Sequence, residues 1–283
     1  MNRWRVFWRQ RIHTYFSRYS PAEKCGFGAI GLAAFLFLFW PALALWPLAA
    51  FVAACLLSPF FASSSFFLPV TSRGKSGQPW VSLTFDDGPN PVSTPLLLEF
   101  LRGHGLAATF FVNGDKARRL PDLVRQMARD GHTIGNHSTN HDNFLMFRGA
   151  DRVMAEIVDT QNILAELGIN TKIFRPPVGI VTPRYAAAMA TLGTSLGLTM
   201  VTFRHRPRDL GNRRIKGLAA AILADIRGDD ILLLHDTPPR QGTITDWLAE
   251  LDALVAGIAE RGLRIVPLDS LLDKKLMEIR SEE

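Results

Sequence analysis

Charge is missing from one long stretch of this sequence. Between Cys25 and Ser72 there is no Asp, Glu, Lys, Arg or His. About 20 apolar residues span the hydrocarbon core of a bilayer, and this stretch is more than twice as long. The apolar core of a cleaved signal peptide runs to roughly 7–15 residues, so a membrane anchor over residues 25–70 is expected instead. Cysteine is also scarce. Cys25 and Cys55 are the only two, both in or beside the apolar block. Neither resembles a metal site, and two such residues leave the redox compartment undecided. No internal repeat and no low-complexity segment is present.

Acid is nearly absent from the start of the chain. Arg3, Arg5, Arg9, Arg11, Arg18 and Lys24 are opposed by Glu23 alone. The whole chain carries +6, so most of its net charge sits in this arm. A basic protein can suit nucleic acid. Basic residues directly before an apolar block instead indicate membrane topology and contact with anionic lipid, and no nucleic-acid partner is expected. Trp4, Trp8, Ile12, Tyr15, Phe16 and Tyr19 recur at helical spacing between the arginines, the pattern of an interfacial helix in a basic amphipathic arm over 1–24; a disordered basic tail is the alternative.

The length allows one or two domains. Within the anchor, Pro41 and Pro47, flanked by Trp40 and Trp46, mark a turn at the membrane interface between two spans; one tilted or broken span is the alternative. Arg73 and Lys75 favour exit on the cytoplasmic side of the inner membrane. Thr71–Gln78 is small and polar and reads as a linker. A domain over 79–275 and a charged tail over 276–283 follow. In the domain, strands at Trp80–Phe85, Ala108–Val112, Lys172–Phe174, Leu198–Thr202, Asp230–Leu234 and Leu263–Val266 alternate with helices. The helices fall at Pro95–His104, Lys116–Asp130, Asp151–Leu167, Pro183–Leu192, Ile215–Ile226 and Asp246–Arg261. Alternation of this kind predicts an α/β parallel sheet or barrel with its chemistry at the strand C-terminal ends.

Several strands end in polar residues suited to catalysis. Trp80–Phe85 runs into Asp86-Asp87-Gly88-Pro89. Neighbouring residues on a strand face opposite ways, so the turn must aim the two carboxylates at different tasks, a metal ion and a proton; a plain turn is the rival reading. His137 and His141, four apart in Gly135-Asn136-His137-Ser138-Thr139-Asn140-His141, can meet one ion. Two imidazoles and a carboxylate with open positions form a catalytic metal arrangement. His132 is poorly spaced and reads as structural. Arg175, before Pro176 and Pro177, is suited to orienting a carboxylate; a rigid loop after a strand is the rival reading. His235 ends the apolar strand Leu232-Leu233-Leu234, where a general acid belongs.

These motifs, in this order, resemble the polysaccharide deacetylases of carbohydrate esterase family four, the NodB-homology domain, over roughly residues 79–275. The resemblance implies a distorted (β/α) barrel of about seven strands, here behind a helical membrane anchor. It implies a hydrolase that removes an N-acyl group, most simply acetyl, from an amino sugar. It also implies roles: Asp86 as general base, Asp87, His137 and His141 as metal ligands, Arg175 holding the base, and His235 as general acid. The oxyanion donor is then the backbone amide of Val178. The implied metal is divalent, with zinc first and cobalt, nickel or manganese as substitutes. Two departures stand out. Val178 replaces the family's tyrosine. Arg206-Pro207-Arg208-Asp209-Leu210 replaces its Asp-x-x-Asp-Trp motif, keeping only Asp209 to hold His235. The altered groove favours an N-acylated sugar on a polyprenyl phosphate carrier, with Arg206 toward the phosphate and membrane lipid alongside, over an extracytoplasmic peptidoglycan or polysaccharide. A non-catalytic sugar-binding membrane protein is the reading from another class.

Overall fold

The computed structural model describes residues 19–204, 209 and 211–280. The arm's aromatic residues before Tyr19, Arg206 and Leu210 lie outside the described residues.

The apolar block forms two helices, α1 (Pro21–Phe39) and α2 (Leu45–Leu57), joined by a tight turn at Pro41–Leu43. Ser20 starts α1 with a reciprocal cap, its side chain accepting from the Glu23 amide while Glu23 accepts from the Ser20 amide. The helices pack closely: a Cβ on Gly26 would stand 3.1 Å from the Phe51 ring. Pro21–Phe39 and Pro41–Phe60 are both long and apolar enough to cross a membrane. Their outer faces leave Phe37, Leu38, Leu45 and Trp46 exposed.

The rest is a curled parallel sheet wrapped by helices. Among the described residues its seven strands are β1 (Trp80–Gly88), β2 (Thr109–Val112), β3 (Thr133–Asn136), β5 (Ile173–Phe174), β6 (Thr199–Met200), β7 (Ile231–His235) and β8 (Arg264–Ile265). They run in the order β6-β5-β3-β2-β1-β7, with β8 also paired to β1. β1 is central and buried almost throughout, although Ser82 and Thr84 alternate with its apolar residues; their hydroxyls donate to the Val266 and Leu232 carbonyls, both at 2.7 Å, which lets them stay buried. A two-stranded antiparallel pair joins β4 (Ile169–Thr171) to β9 (Met277–Ile279). The start of the expected charged tail thus belongs to the fold, with Leu276 fully buried.

The helices are α3 (Ser93–Gly103), α4 (Gly114–Arg119), α5 (Pro121–Arg129), α6 (Ala150–Glu166), α7 (Pro183–Leu196), α8 (Leu218–Leu223), α9 (Ile244–Glu260) and α10 (Leu268–Leu272). The helix expected over Lys116–Asp130 is broken between Arg119 and Pro121, because proline has no amide to continue the ladder and suits a first turn. Apolar stripes hold the helices to the sheet. Trp247, Leu251, Leu254 and Ile258 of α9 bury against Leu83, Phe85 and Leu234 in one cluster, and Val153 and Ile157 of α6 meet Tyr185 and Leu192 of α7 in another.

Between the edges β6 and β7 lies Thr71–Gln78, the stretch expected to be a linker. Thr71 bridges to Val201 and Arg73 to Asp230. Asp229 accepts from the Ser76 and Gly77 amides, both at 3.0 Å. The segment is therefore bonded into the gap of the half-barrel, through backbone groups that no side-chain period announces.

Candidate active site

β1 delivers both carboxylates to the same mouth because it does not stay regular. Its register on β2 shifts between Asp86 and Gly88, and Asp87 takes φ 70°. Such a bulge re-aims a side chain that strict alternation would turn away. Gly88 is required beside it, because a Cβ there would run into Asp236 Oδ2. Asp86, in register with His235 on β7, is buried and turns inward.

The loop after β3 brings the two histidines to Asp87. His141 Nε2 lies 3.0 Å and His137 Nε2 3.6 Å from Asp87 Oδ1. One donor atom from each of the three lies within 4.8 Å of the others. The His137 Nδ1 is 2.8 Å from the Arg175 carbonyl. A carbonyl only accepts, so Nδ1 carries the proton and Nε2 keeps a lone pair facing Asp87. Asp87 Oδ1 is buried and makes no well-directed hydrogen bond, although two imidazole nitrogens approach it. Converging lone pairs with no donor aimed among them fit a divalent cation. The local charges favour an anionic Asp87 and a neutral His137, and without a cation they favour a protonated His141. Burial pushes the Asp87 carboxyl up, but His141, His137 and His235 outweigh it and hold it well below the usual range. Burial lowers His137. In His141, burial also acts downward, but the neighbouring Asp87 outweighs it and raises the imidazole.

Arg175 is entirely buried and spends its guanidinium on Asp86. Nη1 donates to Asp86 Oδ1 and to Thr84 Oγ1, both at 2.7 Å. Nε donates to the Val201 carbonyl at 3.3 Å and Nη2 to the Thr202 carbonyl at 3.1 Å. Its flat face lies 4.0 Å over the Phe111 ring. Across the mouth, His235 Nδ1 is 2.7 Å from Asp209 Oδ2. Burial would lower His235, but the Asp209 hydrogen bond and charge, with Asp87 and Asp86 nearby, raise it. Val178, two residues beyond Pro176, takes φ 62° in a short turn, an unusual conformation for a β-branched side chain. Asp87, Ser138, His141 and Val178 all have positive φ, so the strained backbone collects here. The structure thus gathers Asp86, Asp87, His137, His141, Arg175, His235 and Asp209 around one mouth, and Val178 follows Arg175 by three residues, packed against the apolar cluster of α6 and α7. His132 is elsewhere, its Nδ1 accepting from the Ala108 amide at 3.2 Å.

Other residues at the site escape a reading of the sequence. Asp236 is buried and accepts from Ser93 Oγ and Thr94 Oγ1 at 2.7 and 2.5 Å, and burial lifts its carboxyl to about 6 against those hydrogen bonds. Lys116 Nζ donates to the Asp87 carbonyl at 2.6 Å. Asn136 Oδ1 accepts from the Ser138 amide at 2.9 Å. Asn136 stands inside the histidine motif, Asp236 directly follows His235 and Lys116 lies in α4, and only their partners reveal what they do.

A family model described as polysaccharide deacetylase matches residues 73–200. A chitooligosaccharide deacetylase from Sinorhizobium fredii is 34% identical over 208 residues, 70% of this chain and 94% of that protein. The chain belongs to the polysaccharide deacetylase family. A peptidoglycan-N-acetylglucosamine deacetylase from Bacillus cereus is 30% identical over 206 residues, 73% of this chain and 94% of its own length. The crystal structure of a peptidoglycan N-acetylglucosamine deacetylase aligns with a TM-score of 0.65 at 28% identity, covering 77% of this chain and 95% of that one. The deacetylase fold therefore accounts for the curled sheet, while α1 and α2 precede the matched segment.

Proposed function

We propose that this polysaccharide deacetylase is a metal-dependent hydrolase that removes an N-acyl group, most simply acetyl, from an amino sugar. The observation that carries the reading is the juxtaposition of Asp87, His137 and His141 with two separate proton-handling pairs, Asp86–Arg175 and His235–Asp209. A bound divalent ion supplies Lewis-acid polarisation of the amide carbonyl and a more acidic water. Two imidazoles and one carboxylate suit zinc, with cobalt, nickel or manganese as substitutes. Asp86 takes the proton of the attacking water, and Arg175 keeps it oriented. The Val178 amide donates to the oxygen that gains charge. His235 hands a proton to the departing amine. The test is acetate release from a chitooligosaccharide by the full chain in detergent. Chelator should abolish it and a divalent ion restore it; full turnover by metal-free protein refutes the reading. No release from any N-acyl sugar would favour the sugar-binding alternative.

A second reading concerns where the sugar comes from. The two apolar helices support an integral anchor in the cytoplasmic membrane, and a basic arm before two spans favours a domain on the cytoplasmic face. There it would meet an amino sugar on a polyprenyl phosphate rather than peptidoglycan. A cavity of about 1100 Å³ between the hairpin and α7 supports this; Phe27, Ile30, Phe51, Leu68, Ala186 and Met189 are among its walls, a lining suited to hydrocarbon. A C-terminal reporter active only in the cytoplasm, with deacylation of a lipid-linked N-acyl sugar, is the expected result. A reporter active only outside assigns the same chemistry to an extracytoplasmic glycan.

A further inference from the structure

The loop that carries His137 and His141 is held in a conformation its residues do not favour. Ser138 and His141 take φ values of 66° and 55°, so packing must impose the shape. One side of the clamp is the start of α4, where the Gly114 and Asp115 amides donate to the Ser138 and Thr139 carbonyls at 3.0 and 2.9 Å. Gly114 is needed there, because a Cβ would lie 2.6 Å from Thr160 Oγ1 and 3.2 Å from the Thr139 Cα. The other side is Glu156 on α6, only 2% exposed. A single oxygen, Oε2, accepts from both the Thr139 and Asn140 amides, at 3.0 and 3.2 Å. Oε1 is 2.6 Å from Arg152 Nη2. The Glu156 carbonyl accepts from Thr139 Oγ1 at 2.8 Å.

We infer that Glu156 is a positioning residue of the metal centre: its buried carboxylate grips two of the peptide groups between the histidines and so sets the distance between their imidazoles. A buried carboxylate is expensive to maintain unless its oxygens are bonded, and these bonds are charge-assisted. Both amides it holds lie between His137 and His141, so a change at Glu156 reaches the ligand geometry directly. The inference rests on the metal-binding reading above and names a residue that acts through its ligands.

The experiment measures zinc affinity by competition with a chromogenic chelator, on the full chain in detergent, together with the absorption spectrum of the cobalt-loaded protein and the melting temperature of the metal-free protein. Glu156→Ala should weaken zinc binding about 10–100-fold, the usual effect of losing a group that orients a ligand, and shift the cobalt bands. Glu156→Gln keeps an oxygen that can accept from both amides and should restore most of the affinity. If Glu156→Ala does not fold, Glu156→Asp replaces it, since its carboxylate falls one methylene short of the amides; the same weakening is expected. Wild-type zinc affinity and cobalt spectrum in a folded Glu156→Ala, or in Glu156→Asp where that replaces it, overturns the inference, even if the metal-free melting temperature falls. No zinc binding by the wild type overturns the metal-site reading itself, and the inference with it.

Discussion

Arg175→Met should cost about 3–5 kcal/mol, the usual penalty for removing one partner of a buried ion pair. The structure explains why the cost should be at that level. Arg175 has no exposure, and its replacement strands the Asp86 carboxylate, the Thr84 hydroxyl and the carbonyls of Val201 and Thr202, which it now serves at 2.7–3.3 Å. Methionine fills most of the stem volume over Phe111, so lost bonding rather than a cavity dominates. For a domain of this size, about 2–4 °C of melting temperature accompanies each kcal/mol, giving a fall of about 6–20 °C. Asp86→Asn should cost less, because Arg175 keeps its two carbonyl acceptors and Thr84. The decisive measurement is the double variant, which removes both charges. Urea unfolding of the full chain in detergent should find it at least about 1 kcal/mol more stable than the sum of the single losses, a coupling within the range for contacting residues. Losses that add to within about 0.5 kcal/mol, or an Arg175→Met that costs under about 1 kcal/mol against the expected range, would refute the argument that Arg175 stabilises the site by neutralising Asp86.

Asp87→Ala should lose zinc binding in the competition assay, whereas Asp86→Asn should retain zinc and lose turnover by about 10²–10⁴-fold; near-wild-type rates in both sink the division of labour. Asp209→Asn removes the main influence raising His235. A raised histidine contributes stability that is full below its unfolded pKa and fades as pH rises through the folded one. The variant should therefore lose more stability in mild acid than in mild alkali, and the alkaline limb of kcat/KM should move to lower pH; an equal loss at both pH values, with an unmoved limb, contradicts the pairing.

What the sequence made legible was the set of strand ends. Arg175 and His235 follow apolar residues and Asp86 and Asp87 an alternating strand, and in a parallel sheet such ends converge whatever the loop details. The His137–His141 spacing also survives folding, because four residues in a tight loop keep two rings near each other. What stayed hidden depends on backbone geometry. Residue types do not reveal that the register slips at Asp87 and brings two adjacent carboxylates to one mouth. Glu156 looked like any acid on a helix that needs a solvated face, and only the loop packed on α6 shows that it points inward. Pro121 did announce the break between α4 and α5, but the apolar period continues across it and masks the signal.

Thr71–Gln78 carries the largest consequence among the misread stretches, because it connects the hairpin to the site. The Thr71 amide donates to the Met200 carbonyl and the Thr202 amide to the Thr71 carbonyl, both at 2.9 Å. Those bonds fix the chain just beyond β6, and its Val201 and Thr202 carbonyls are the ones that hold Arg175. Two residues on, Arg73 Nε lies 3.2 Å from Asp230 Oδ1 at the start of β7, the strand that ends in His235. The same few residues therefore brace the strand edges behind both proton-handling pairs. A parallel sheet this curled leaves two edges that are too far apart to pair directly and too buried to stay unpaired. A segment of small polar residues solves both problems, since it can enter the gap and offer backbone groups to each side. The composition that made it look like a tether is what lets it serve as the closing stave.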